Sequence, residues 1–194
     1  EEKQVTVDLK TYILDEPFMV LATQNPIDSM GTYPLPEAQI DRFQIKESIG
    51  YPDKEDEIRI MSMSNEQKKD ISPVANAEDI VEIKKAAEQI YVNEAVSRYI
   101  INIVTAGRNH PDLLLGASPR GSISLYRMGQ AIALYKGRDY VIPDDIKYLA
   151  PYVLPHRFIL TNEAKINKKS RSDIMNEILE STEVPIGKHQ KEHK

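Results

Sequence analysis

The sequence predicts a short α/β segment followed by an all-α domain, so that the chain is predominantly helical overall. Three observations carry this. The first is the apolar run Phe18-Met19-Val20-Leu21-Ala22, which stops at polar Thr23-Gln24-Asn25. Such a run fits a strand buried on both faces of a parallel sheet, ending at the carboxyl edge where open α/β sheets place ligands. The second is polar/apolar alternation over residues 4–8 and 11–14, the pattern of a β-hairpin. The third is the region after Tyr51, where apolar residues recur at helical spacing and continue to do so to Leu179.

In chain order, the hairpin places Val5, Val7, Tyr12 and Leu14 on one period around Asp8-Leu9-Lys10, with Leu9 standing where glycine would turn more easily. Pro26 ends the strand that follows. After a loop carrying Gly31 and Pro34, Pro36-Glu37 opens a short helix that ends around Asp41-Arg42-Phe43. Residues 44–50, with Ile45 and Ile49, read as a last strand, and Tyr51-Pro52-Asp53 breaks the pattern. The domain boundary is placed between residues 50 and 51.

The helical part begins at Pro52 or Asp53, with Ile58, Ile60 and Met61 expected inward and loops at Ser64-Asn65 and Ile71-Ser72-Pro73. A helix from Ala77 to Gln89 carries Ile80, Ile83, Ala87 and Ile90, and acidic Glu78-Asp79 suit its start. Asn93 is the expected N-cap of the next helix, whose stripe is Val96, Tyr99, Ile100, Ile103 and Val104. His110 is expected on the surface, and no His/Asp/Glu set has convincing metal spacing. Ser118 and Pro119 read as N-cap and first residue of a helix to Lys136, with Ile123, Tyr126, Ala131, Ile132, Leu134 and Tyr135 as its apolar face and Gly137 as its stop. Arg120 runs against this scheme. A cation in the first turn opposes the helix dipole at a cost of about 0.3–1 kcal/mol, so an anion is expected beside it. Pro143-Asp144-Asp145 opens a helix through Ile146, Leu149 and Ala150, and Arg157 after it reads equally as a surface residue or a contact to another subunit. A polar loop over residues 167–171 precedes a last helix with Ile174, Ile178 and Leu179, and residues 185–194 form a charged tail expected to be disordered.

Composition narrows the function. A net charge of −5 and a pI near 5.5 argue against nucleic acid or an acidic membrane surface as the main partner. The absence of cysteine removes disulfides and thiolate metal sites and fits a cytoplasmic protein. No run approaches the roughly 20 apolar residues of a membrane span.

Ala22-Thr23-Gln24-Asn25-Pro26 followed by GTYPLPEAQIDRF at residues 31–43 resembles the sensor 1 and arginine-finger block of MoxR-family AAA+ ATPases, and Gly116-Ala117-Ser118-Pro119-Arg120 resembles their sensor 2. The resemblance implies a fragment of an AAA+ α/β core over residues 1–50, comprising the hairpin and last core strands, and a helical lid over residues 51–184. It implies Asn25 as sensor 1, its amide orienting the attacking water; Arg42 as an arginine finger acting in trans; and Arg120 as sensor 2, in cis or in trans. ATP and Mg²⁺ are the implied cofactors. A homo-oligomeric ring, a hexamer, is implied together with a client protein and a von Willebrand A-domain partner, for remodelling of complexes or maturation of metal enzymes. Tyr12-Ile13-Leu14-Asp15-Glu16 imitates the Walker B strand of such enzymes. Asn25 follows Glu16 too closely for the crossover that parallel strands need, so that stretch is the hairpin's exit.

No Gly-x-x-x-x-Gly-Lys-Ser/Thr occurs, and the only Gly-Lys pair, Gly187-Lys188, is followed by His189. With Walker A and Walker B absent, the chain reads as the C-terminal portion of such an ATPase and is expected not to hydrolyse ATP alone. Blander readings remain for each residue. Asn25 could cap the loop at Pro26, Arg42 could pair with Asp41 or Glu37, and Arg120 could simply reach an acidic neighbour. Two other function classes stand beside the ATPase: a nucleotide-independent helical protein-binding module, and an AAA+ nucleic-acid motor of the related helicase branch.

Overall fold

The computed structural model describes residues 3–24, 35–63 and 71–185. Asn25, residues 64–70 of the expected loop and residues 186–194 of the expected tail lie outside them. The hairpin forms as β1 (Gln4–Val7) and β2 (Lys10–Ile13), paired antiparallel with Gln4 opposite Ile13 and Val7 opposite Lys10. Asp8 and Leu9 in the turn both have positive φ, 48° and 68°. That is the requirement of a type I′ hairpin turn, which glycine meets more easily than leucine. The hairpin continues into an ion pair between Lys3 and Glu16, so Asp15-Glu16 is its exit rather than the end of a parallel strand.

Two expected strands are not strands. Phe18–Ala22 has no regular structure and no ladder partner among the described residues, with Phe18 and Leu21 52% and 83% exposed. The segment 44–50 is also irregular, with Ile49 fully at the surface and, among the described residues, one backbone bond, from Lys46 N to Tyr152 O at 3.0 Å. A strand exists only through its ladder partners, and no other described strand lies beside either segment. Between them α1 (Glu37–Ile40) is one turn long, and Asp41 and Arg42 lie in the turn that follows it.

α2 (Lys54–Met63) starts on Asp53, whose Oδ1 accepts from Asp56 N at 2.8 Å, but it buries no residue. Ile58, Ile60 and Met61 are exposed, contrary to the inward face expected of them. From α3 onward the helices contact one another, although α3 itself buries no residue and Ile80 and Ile83 are exposed. α3 (Ala77–Glu88) opens on an Asn76–Asp79 capping box, a signal the acidic first turn only hinted at. α4 (Glu94–Arg108) is capped by Asn93, which accepts from Val96 N at 2.8 Å, and buries Val96, Tyr99, Ile100, Ile103 and Val104 as its spacing predicts.

α5 (Pro119–Tyr135) packs against α3, α4 and α6 (Pro143–Val153). Its caps are as expected. Gly137, at φ +70°, ends it with paired bonds from Gly137 N to Leu134 O and from Arg138 N to Ala133 O, a Schellman motif. Its buried face is the predicted one only in part: Ile132 and Leu134 pack against the core. Gly121, Ser124, Leu125, Gly129, Gln130 and Ala133 face inward, whereas Ile123, Tyr126 and Tyr135 are exposed. Buried Gln130 donates to Ile90 O at 2.8 Å, satisfying a carbonyl just beyond α3. The chain then passes through a 3₁₀ turn (Pro155–Arg157). β4 (Ile159–Leu160) pairs with β3 (Leu113–Leu115), α7 spans Asn162–Ile166, and α8 (Arg171–Ser181) lays Ile174, Met175 and Ile178 against α4 and α6.

Candidate functional site

The described site is organised around Asp41, immediately before Arg42. Arg157 approaches it from the 3₁₀ turn after α6. Its side chain is 1% exposed, and all five of its N–H donors find acceptors. Nε donates to Val153 O at 2.9 Å; Nη1 donates to Asp41 Oδ1 at 2.8 Å and to the Asp41 carbonyl; Nη2 donates to Phe43 O at 2.7 Å and to Ser124 Oγ at 3.2 Å. Full satisfaction is what makes a buried guanidinium tolerable. Arg157 is therefore an internal anchor, neither a surface residue nor one left to another subunit.

The second oxygen of Asp41 faces the start of α5. Ser118 Oγ donates to Asp41 Oδ2 at 2.9 Å while accepting from Arg120 N at 3.1 Å, so the N-cap of α5 is also its tie to the 41–43 segment. Arg120 Nη1 lies 3.7 Å from the same Oδ2 with its side chain about half exposed. Asp41 thus supplies the anion expected beside Arg120. Behind the cap, Arg108 Nε donates to Ala117 O at 2.9 Å, and Gly116 is pressed against α4 so closely that a Cβ there would meet the Arg108 and Gly107 backbone at 2.7–2.8 Å. No side chain larger than hydrogen fits at residue 116 without moving backbone.

Of the three residues singled out in the sequence, Arg42 is exposed in the turn after α1, Arg120 is in the first turn of α5, and Asn25 lies outside the described residues. Asp41 joins the first two: it is the chain neighbour of Arg42 and the ion-pair partner of Arg120.

Two family models match this chain. Residues 1–45 match the ATPase family associated with various cellular activities, and residues 105–178 match the AAA lid domain. The chaperone MoxR1 of Mycobacterium tuberculosis is 34% identical over 194 residues, covering 95% of this chain and 52% of that protein. The uncharacterized protein YeaC of Bacillus subtilis is 45% identical over 188 residues, 96% of this chain and 59% of its own length. The crystal structure of an inferred ATPase from Cytophaga hutchinsonii superposes with a TM-score of 0.87 at 39% identity, over 95% of this chain and 59% of that one. This chain belongs to the MoxR-type AAA+ ATPases. It spans between half and three-fifths of the length of these three relatives. The Asp41 joint of this MoxR-type chain bridges its two matched segments, with Asp41 and Phe43 in one and Ser118, Ser124 and Arg157 in the other. Sequence reading missed the joint because Arg157 and Asp41 are 116 positions apart.

His156 completes this MoxR-type joint. Its Nε2 lies 3.0 Å from Phe43 O, and buried Nδ1 has no partner, so the neutral ring donates through Nε2. Burial pushes its pKa below the ordinary value; the Phe43 carbonyl and Asp41 oppose that push, and Arg157 and Lys46 add to it. For a base whose folded pKa is depressed, the unfolded chain binds the extra proton. Its contribution to stability is therefore complete above the unfolded pKa of about 6.5 and is lost as pH falls through that value toward the folded one. The thermal midpoint of the chain should thus fall more between pH 7.5 and 5.5 than that of His156→Gln. Parallel curves would show that His156 does not titrate against folding.

His110 is not the surface residue expected. Its side chain is 13% exposed, with Nδ1 accepting from Asp112 N at 3.2 Å and Nε2 lying 3.2 Å from Glu177 Oε2. His110, Asp112 and Glu177 bring ligand atoms within 4.8 Å of one another, but the Lys169 ammonium already pairs with both carboxylates, 2.7 Å from Asp112 and 3.1 Å from Glu177. Hydrogen bonds to those two carboxylates raise the Lys169 pKa. The group has its own cation and ties the loop after α4 to α8. A cleft of about 450 Å³ beside α4 and α5, bordered by Ile101, Ile123 and Tyr126, includes none of the candidate arginines. Among the described residues no helix is long and apolar enough to cross a membrane.

Proposed function

We propose that the complete protein is a remodelling ATPase that binds ATP with Mg²⁺, assembles as a homo-oligomeric ring, a hexamer, and uses hydrolysis to reshape client proteins or mature metal enzymes, alongside a von Willebrand A-domain partner. Residues 1–50 contribute to its α/β core and residues 51–184 form its lid. The observation that supports this most directly is the Asp41 joint, which locks the turn bearing Arg42 to the helix start bearing Arg120. The relative named as a chaperone supports the client-directed part.

The donor chemistry suits phosphate oxygens. Guanidiniums stay charged and can fork onto such oxygens as negative charge develops, and an exposed helix start adds the positive end of its dipole. It does not suit Mg²⁺, because the one carboxylate of the joint is already engaged by Ser118 and Arg157. The metal's ligands and the phosphate loop are therefore assigned to other parts of the protein. In this reading bound ATP supplies the phosphoryl group and the binding energy for the cycle. Asn25 holds the attacking water through its amide, Arg42 reaches the nucleotide of the neighbouring subunit, and Arg120 meets phosphate in exchange for Asp41.

Phosphate release by the complete protein and by this 194-residue chain tests the division. The complete protein should turn over ATP and form rings in its presence, and the chain alone should show no turnover. ATP hydrolysis by the pure chain, or a complete protein that neither hydrolyses nor assembles, contradicts the reading.

A further inference from the structure

We infer that Arg157 is the positioning residue for Arg42, setting from inside the lid where that arginine can reach. The inference rests on the reading of Arg42 given above and adds a residue that never touches nucleotide. α1 has no buried residue of its own to fix the turn after it. What holds the turn is a set of polar bonds, and Arg157 supplies the centre of it. Its guanidinium grips the carbonyl of Asp41 through Nη1 and the carbonyl of Phe43 through Nη2, the residues on either side of Arg42, and also the Asp41 carboxylate. The backbone from which Arg42 projects is thereby clamped on both flanks. The clamp's other hand is in the lid, on Val153 O at the end of α6 and Ser124 Oγ inside α5.

A planar fork with five donors can hold these acceptors together, and a lysine ammonium cannot. Because its side chain is 1% exposed, Arg157 does not itself meet a phosphate. Through Asp41 Oδ2 the same joint meets Ser118 and Arg120, so the two arginines assigned to nucleotide are referred to one carboxylate. A movement of α5 on nucleotide binding is then transmitted to Arg42, and through it to the next subunit.

The test uses rings of the complete protein. Arg157→Gln and Arg157→Lys should each lower kcat by about 100-fold, the scale of a misplaced catalytic group, with KM for ATP changed by no more than about twofold. Subunit mixing separates positioning from damage. An Asn25→Ala subunit cannot use its own nucleotide but still offers Arg42 to its neighbour. Mixed with Arg42→Ala subunits it should restore turnover, and it should restore both Arg157 variants equally, because Arg157 has no contact with nucleotide in this reading. Failure of the Arg42→Ala mixture overturns the trans reading of Arg42, and the clamp with it. Restoration of Arg42→Ala but not of the Arg157 variants overturns the clamp alone, as does full kcat in unmixed Arg157→Lys rings. Arg157→Lys, which keeps the positive charge without the planar fork, keeps the test decisive if Arg157→Gln does not fold.

Discussion

Replacing Arg42 by alanine in the complete protein is expected to reduce kcat by roughly 10³ to 10⁵, on the order of 4–7 kcal/mol of transition-state stabilisation. The same change should leave thermal stability within about 1 kcal/mol, the upper end for an exposed pair. Arg42 is exposed, in a turn after a helix that buries nothing, where a side-chain interaction contributes at most about 1 kcal/mol. The Asp41 carboxylate does not depend on it either, being held by Arg157 at 2.8 Å and Ser118 at 2.9 Å. Arg42→Lys should recover little, because a single ammonium does not reproduce a planar fork on phosphate oxygens. Initial-rate kinetics with denaturation curves on the same preparations make the check. An intact rate would remove the finger role, and a large stability loss with proportionate activity loss would return Arg42 to an intramolecular pair.

What could be read from the sequence was whatever is decided within a few residues. Asn93 and its stripe gave α4 correctly, and Ser118-Pro119 with Gly137 gave both ends of α5, because caps and helical periodicity are local. The face of α5 was not local. Hydrophobicity pointed to Ile123 and Tyr126, but α5 approaches its neighbours along small residues. A Cβ on Gly129 would meet Ile146 Cδ1 at 2.8 Å, and one on Gly121 would meet Ala117 Cβ at 2.9 Å. Close approach thus selects small residues at Gly121, Gly129 and Ala133 beside buried Leu125, and turns Ile123 and Tyr126 outward. Phe18–Ala22 failed for a related reason, since an apolar run becomes a strand only beside partners. Arg157, His156 and Lys169 were illegible because their meaning lies in acceptors far along the chain: Asp41, Phe43, Asp112 and Glu177. Of the candidate site itself, Arg120's need for an anion was legible from the dipole alone, and the identity of that anion was not.

Arg138→Met should destabilise the chain by about 3–5 kcal/mol, because it leaves a buried charge without its main partner. Asp145 is fully buried. Arg138 Nη2 donates to both of its oxygens at 2.7 Å, Lys136 Nζ lies 3.1 Å from one, and Ile142 N donates to the other at 3.1 Å, which also caps the start of α6. Burial alone raises the Asp145 pKa, yet these bonds outweigh it and hold the carboxyl below its ordinary value. With a folded pKa under the unfolded one of about 3.9, the contribution is present above that pH and is lost as pH falls through the folded value. Removing Arg138 leaves burial opposed mainly by half-exposed Lys136 and the Ile142 amide. The carboxyl pKa then rises, and acid destabilisation of the variant should begin at higher pH than in the parent chain. Asp145→Asn added to Arg138→Met should regain much of the loss, since the amide still accepts from Ile142 N and carries no charge to strand. Denaturant unfolding of the three chains at pH 7 and pH 5 measures both effects. If the double variant proved no more stable than Arg138→Met, the cost would lie in lost packing of the arginine stem rather than in the stranded carboxylate.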